Sequence, residues 1–160
     1  MDSETFIYLL WGGLAIALIV AAITDLTNRH ISNWLNLAIA LGAPIFWLVS
    51  GMTVWPEMIG QIALAAIIFT IFAGMFAIGA MGGGDVKLLT ALALWMHWLT
   101  FLELLVIMSI AGGLLTLLMM ISKQIRKTEG PIKVPYGVAI ACSGLWMIWG
   151  IAGQSSQTIF

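Results

Sequence analysis

Five long stretches of this chain carry no charged side chain: 5–24, 34–56, 58–84, 104–122 and 134–160. A helix needs an apolar run of about 20 residues to cross a hydrocarbon core of about 30 Å. Repeated runs of this kind along 160 residues point to an all-α integral membrane protein. Only 8% of the residues are charged, which leaves no basic or acidic surface large enough to grip nucleic acid. The single cysteine, Cys142, excludes a disulfide framework and a zinc site built from paired CxxC motifs. Asp2 and Glu4 put acid where a signal peptide carries basic residues, so the first apolar segment is expected to stay in place.

The piece 88–102, between Lys87 and Glu103, makes about 22 Å of helix and reads as a short span or a re-entrant element. The basic residues decide, because they gather in cytoplasmic loops. Spans at 5–24, 34–52, 58–80, 86–102, 103–122 and 135–153 place Arg29, Lys87, Lys123, Arg126, Lys127 and Lys133 on one face. Five spans would divide them. The expectation is one membrane-embedded domain over 1–160, a bundle of six transmembrane helices with both termini extracytoplasmic. Asp2, Glu4, Glu57 and Glu103 then lie outside. Gly51 and Pro56 bracket an outer turn, and Gly130 with Pro131 breaks the loop before the last span. Gly42 and Pro44 fall inside the second span, where they kink it or allow close packing.

Three acids remain on the cytoplasmic side: Asp25, Asp85 and Glu129. Glu129 sits among basic residues and reads as a solvated loop charge. Asp25 and Asp85 close the first and third spans at one depth, so they can face one another. Two carboxylates close together in low dielectric share a proton and titrate as a unit. One can then take a proton from water while the other polarises a peptide carbonyl, the division of labour of aspartic proteases. That chemistry calls for no metal, no cofactor and no nucleophilic side chain. Gly82, Gly83 and Gly84 let the backbone before Asp85 adopt positive φ and approach an extended substrate. The plainer reading makes this a turn with Asp85 as the N-cap of the next helix, and the two can hold together.

The segments Asp25-Leu26-Thr27-Asn28-Arg29-His30-Ile31-Ser32-Asn33-Trp34 and Gly82-Gly83-Gly84-Asp85-Val86-Lys87 resemble the type IV prepilin peptidases, membrane aspartyl proteases with a GxGD motif. The resemblance implies that Asp25 and Asp85 are the catalytic pair. Val134-Pro135-Tyr136-Gly137-Val138-Ala139-Ile140-Ala141 looks like the start of the last helix in the short, TadV and CpaA type branch. Ser32 stands where many members have proline. The loop with two CxxC pairs of the larger bifunctional members is absent from the sequence, which puts N-methyltransferase activity in doubt. The implied activity is removal of a short basic leader from a Flp-type prepilin or pseudopilin, at the cytoplasmic face of a bacterial inner membrane. Substrate identity and oligomeric state are not implied.

Arg29 and Lys87 flank the two aspartates and read as cytoplasmic anchors, or as groups that steer substrate or bias the shared proton. Asn33 and Asn36, spaced i, i+3, can share a helix face; capping and interhelical hydrogen bonds are favoured over orienting Asp25. His30 and His97 fall on opposite faces, as interfacial side chains, and cannot form one metal site. Trp11, Trp34, Trp55, Trp98 and Trp149 fit interfacial belts. Gly74, Gly79, Gly112 and Gly113 read as helix-packing positions and Cys142 as a small packing residue. The rival function is a proton-coupled transporter or a non-enzymatic secretion or pilus assembly subunit, since intramembrane acids also relay protons. A transporter calls for an acid at mid-membrane depth, and the candidate acids lie at span ends.

Overall fold

The computed structural model describes residues 2–126 and 134–155. Within them the chain forms α1 (Ser3–Asn28), α2 (Asn33–Val49), α3 (Ile59–Ala77), α4 (Gly83–Ala93), α5 (Trp98–Arg126) and α6 (Tyr136–Ser155), with a π-helical turn at Val54–Met58 leading into α3. No strand occurs among the described residues. Lys127, Glu129, Gly130, Pro131 and Lys133 lie outside them.

Each outer helix buries one stripe and leaves the rest of its surface apolar. In α1 the stripe is Trp11, Leu14, Leu18, Ala21 and Asp25, spaced so that all five fall on one face. Ile16, Ile19, Val20 and Ile23 on the other side are exposed. A helix that is apolar all round while only one stripe touches protein suits lipid, not water. Among the described residues three helical stretches are long and apolar enough to cross a membrane: Ser3–Asn28, Val54–Ala77 and Trp98–Ile125. Asn33–Val49 and Tyr136–Ile151 are shorter and also apolar.

α4 is the central element. It has 11 residues, of which Asp85, Val86, Leu88, Leu89, Ala91, Leu92 and Ala93 are buried. It packs on α2, α3 and α6, while α1 packs on α2 and α6, and α5 chiefly on α6. At about 16 Å it covers only half of a hydrocarbon core. The chain breaks at 94–97 and α5 starts at Trp98, well before the expected boundary at 103. Glu103 is therefore an exposed residue inside α5 and does not mark a loop. The break is held by two indoles. Trp47 donates to the Leu94 carbonyl at 2.8 Å, satisfying an acceptor that a helix end otherwise orphans. Trp95 donates to the Ile39 carbonyl at 2.8 Å. Its ring occupies the space that a Cβ on Gly42 would enter, at 2.7 Å from Cζ2, so Gly42 serves packing. Trp11, Phe46 and Trp95 form a three-ring cluster with centroids 5.1 to 5.6 Å apart. Trp11 thus belongs to the core and not to an interfacial belt, whereas Trp34, Trp55, Trp98 and Trp149 are exposed.

Two helices end in the same way. Gly51 has φ +69°, with Met52 N–H bonded to Trp47 O and Gly51 N–H to Leu48 O. Gly79 has φ +75°, with Ala80 N–H bonded to Met75 O and Gly79 N–H to Phe76 O. Both are Schellman stops that require a left-handed residue. Gly79 is therefore a helix terminator and not a packing position. Gly74 and Gly113 likewise have open space where a Cβ would lie, and only Gly112 packs, against Tyr136. Cys142 faces outward from α6 and is exposed, against the expectation of a packing role.

Candidate active site

The last turn of α1, the first turns of α4 and α6 and the link between α1 and α2 meet at one end of the bundle. Asp25 continues the buried stripe of α1 and is 7% exposed. The N–H groups of Gly137 and Val138, at the start of α6, are directed at its carboxylate. Gly137 makes this approach possible: a Cβ there would lie 2.8 Å from Asp25 Oδ2 and 2.7 Å from Ile31 Cδ1. Oδ2 itself has no hydrogen-bond partner among the described residues.

Asp85 is the third residue of α4, with Gly82 as the N-cap, so it is not the cap residue that its sequence position suggested. Its carboxylate accepts the Gly82 N–H, one half of a capping box, while its own N–H donates to Gly82 O at 3.1 Å. Gly82 has φ −76° and ψ 143°, and none of the three glycines before Asp85 has positive φ. They serve close approach instead. A Cβ on Gly82 would lie 2.8 Å from Asp85 Oδ2, one on Gly83 3.3 Å from the Phe76 ring, and one on Gly84 3.3 Å from Ile31 Cβ.

Ile31, 3% exposed, lies against Gly84 on one side and reaches Gly137 beside Asp25 on the other. The two carboxylates are close enough for the charge of Asp25 to act on Asp85. Around them stand most of the other residues singled out by sequence. Asn36 is 4% exposed and donates through Nδ2 to the Gly84 carbonyl at 3.2 Å, tying α2 to the turn that carries Asp85. Lys87 Nζ donates to Asn33 Oδ1 at 2.8 Å, joining the first turns of α2 and α4. These are the interhelical bonds expected of the two asparagines. Arg29 caps α1 with φ +53°, and its charge acts on Asp25. His30 is exposed near this end and His97 lies in the break at 94–97, beside Trp98.

Sequence reading missed Gly137 as a site residue. Its place in the segment 134–141 was visible, but the contact that gives it a role comes from α1, more than a hundred positions away.

Helices that are apolar on their outward faces, with buried acids gathered at one end of the bundle, define an integral membrane protein of the all-helical class. The chain belongs to the type IV leader peptidase family, whose model matches residues 12–117. A prepilin leader peptidase/N-methyltransferase of Stutzerimonas stutzeri is 26% identical over 153 residues, covering 93% of this chain and 50% of the relative. One of Aeromonas hydrophila is 25% identical over 150 residues, covering 88% and 51%. One of Pseudomonas aeruginosa is 26% identical over 160 residues, covering 93% and 50%. The chain thus spans about half the length of the curated relatives it matches. No solved structure matches it.

Proposed function

We propose that this protein is an aspartyl endopeptidase that removes the leader from Flp-type prepilins or pseudopilins at the cytoplasmic face of a bacterial inner membrane. The observation that carries the reading is the convergence of Asp25 and Asp85 around Ile31 in a chain of the leader peptidase family. In this scheme Asp25, which receives the backbone donors of α6, takes a proton from water as the oxygen attacks the scissile carbonyl. Protonated Asp85 donates to the carbonyl oxygen. The tetrahedral species collapses with cleavage of the C–N bond, one of its hydroxyl protons returning to Asp85 as the proton held by Asp25 passes to the leaving amine.

The six-span topology belongs to the same proposal. Arg29 and Lys87 lie at the aspartate end, Lys123 lies near the end of α5, and Glu4 and Glu57 lie at the opposite end of their helices. That separation supports a cytoplasmic site and extracytoplasmic termini. Methyl transfer is not part of the proposal. The paired cysteines associated with it have no counterpart in a sequence whose single cysteine is Cys142.

The test is incubation of the purified protein with a candidate prepilin, followed by sequencing of the new N-terminus. Asp25→Asn and Asp85→Asn should each lower cleavage by at least about 10²-fold, the usual scale of a general acid or base, with membrane insertion intact. Wild-type cleavage by Asp85→Asn would overturn the assignment.

A further inference from the structure

One cleft is lined in part by the residues that directly precede the site glycines Gly82 and Gly137, and it has no role in the chemistry so far. α3 and α5 stand on either side of it without forming a substantial interface with each other. The cleft has a volume of about 430 Å³ and includes Phe72 and Met75 from α3, with Met108 and Met120 from α5. Met81 and Tyr136 also line it. Each immediately precedes a glycine that lies against a site carboxylate, Gly82 beside Asp85 and Gly137 beside Asp25. Asp25 Oδ2, next to Gly137, is buried and has no hydrogen-bond partner among the described residues.

The lining selects for an apolar occupant. Among the described residues no charged side chain borders the cleft. The hydroxyls of Ser109 and Thr116 are turned onto their own helix, donating to Leu105 O and Gly112 O at 2.7 Å each. The open space at Gly113, between these two residues, lets a helix come close to α5. Methionine walls adapt to side chains of varied shape. From Met108 to Met120 the wall runs for about 18 Å, three turns of helix.

We propose that this groove docks an apolar helical segment of the prepilin substrate and delivers the adjoining leader junction to Asp25 and Asp85. The proposal rests on the peptidase reading and adds the route by which the substrate enters, sideways from the bilayer between α3 and α5.

A photo-crosslinking residue placed at Met120, 55% exposed in the groove wall, is compared with one at Val106, 60% exposed on another part of α5. Both are made in the Asp85→Asn protein, reconstituted with a prepilin that the wild-type protein cleaves. A prepilin adduct at Met120 and none at Val106 supports the groove. Equal adducts, or lipid adducts alone at both, overturn it while leaving the peptidase reading standing. Absence of cleavage by the wild-type protein sinks the peptidase reading instead. As a second measurement, Gly113→Leu fills the groove from a position with open space. It should raise KM for prepilin at least tenfold with kcat within twofold; an unchanged KM goes against the proposal.

Discussion

Asp25 and Asp85 are held by different local devices. Asp85 is set by its own helix, through the bond back to Gly82, whereas Asp25 depends on the first amides of α6, a distant part of the chain. Gly137→Ala tests this dependence. The added methyl would lie 2.9 Å from Asp25 Cγ, so the carboxylate or the start of α6 must move. Displacements of about 1 Å at a reacting group cost on the order of 10²-fold in rate. The expected outcome is a fall of that size in kcat, beyond what the lower melting temperature expected from overpacking explains, and wild-type kcat would remove Gly137 from the site. The aspartates themselves were legible in sequence because a charge in an apolar span is rare and must be accounted for. Gly137 was not, since its role exists only through contact with α1. The expected positive φ at 82–84 was misplaced for a related reason: the left-handed residue is Gly79, which stops α3, and the later glycines answer to neighbours that sequence does not reveal.

Among the elements, α4 is the one whose limits sequence did not disclose. Between Asp85 and Gly112 there is neither glycine nor proline, so no local signal marks the break at 94–97. The break depends on tertiary hydrogen bonds from Trp47 and Trp95, which apolar periodicity cannot predict. Trp47→Phe keeps an aromatic ring and removes the donor to Leu94 O. Leaving a buried acceptor unpaired costs about 1–3 kcal/mol, which should appear as a lower midpoint in thermal unfolding in detergent. An unchanged midpoint would mean that the break does not need this bond. Gly42→Ala tests the other side of the same junction. Its methyl would be placed 2.7 Å from the Trp95 ring, and overpacking of this kind costs about 1–3 kcal/mol. The two changes act on one joint, so their combined effect should fall short of the sum.

For the whole molecule, the six-span reading makes a directional prediction. In a Cys142→Ser background, a cysteine at His30 should react with a membrane-impermeant maleimide from the cytoplasmic side and one at Thr53 from the opposite side. Labelling of both from one side would discard the topology. Helical class and the end of the bundle that holds the acids were readable from charge spacing alone, because lipid penalises charge wherever it falls. Which helix lies at the centre was not, since the most buried helix, α4, is also the shortest and carries both Asp85 and Lys87. The cluster of Trp11, Phe46 and Trp95 has a wider consequence. It packs the bundle beyond the end of α4 that is far from Asp85. If Asp25 and Asp85 hydrolyse peptides as proposed, water must reach them from their own end of the bundle, and a wet path past α4 would let protons cross the bilayer. On that reading the three packed rings serve as an electrical insulator, keeping hydrolysis at one end from opening a proton leak to the other.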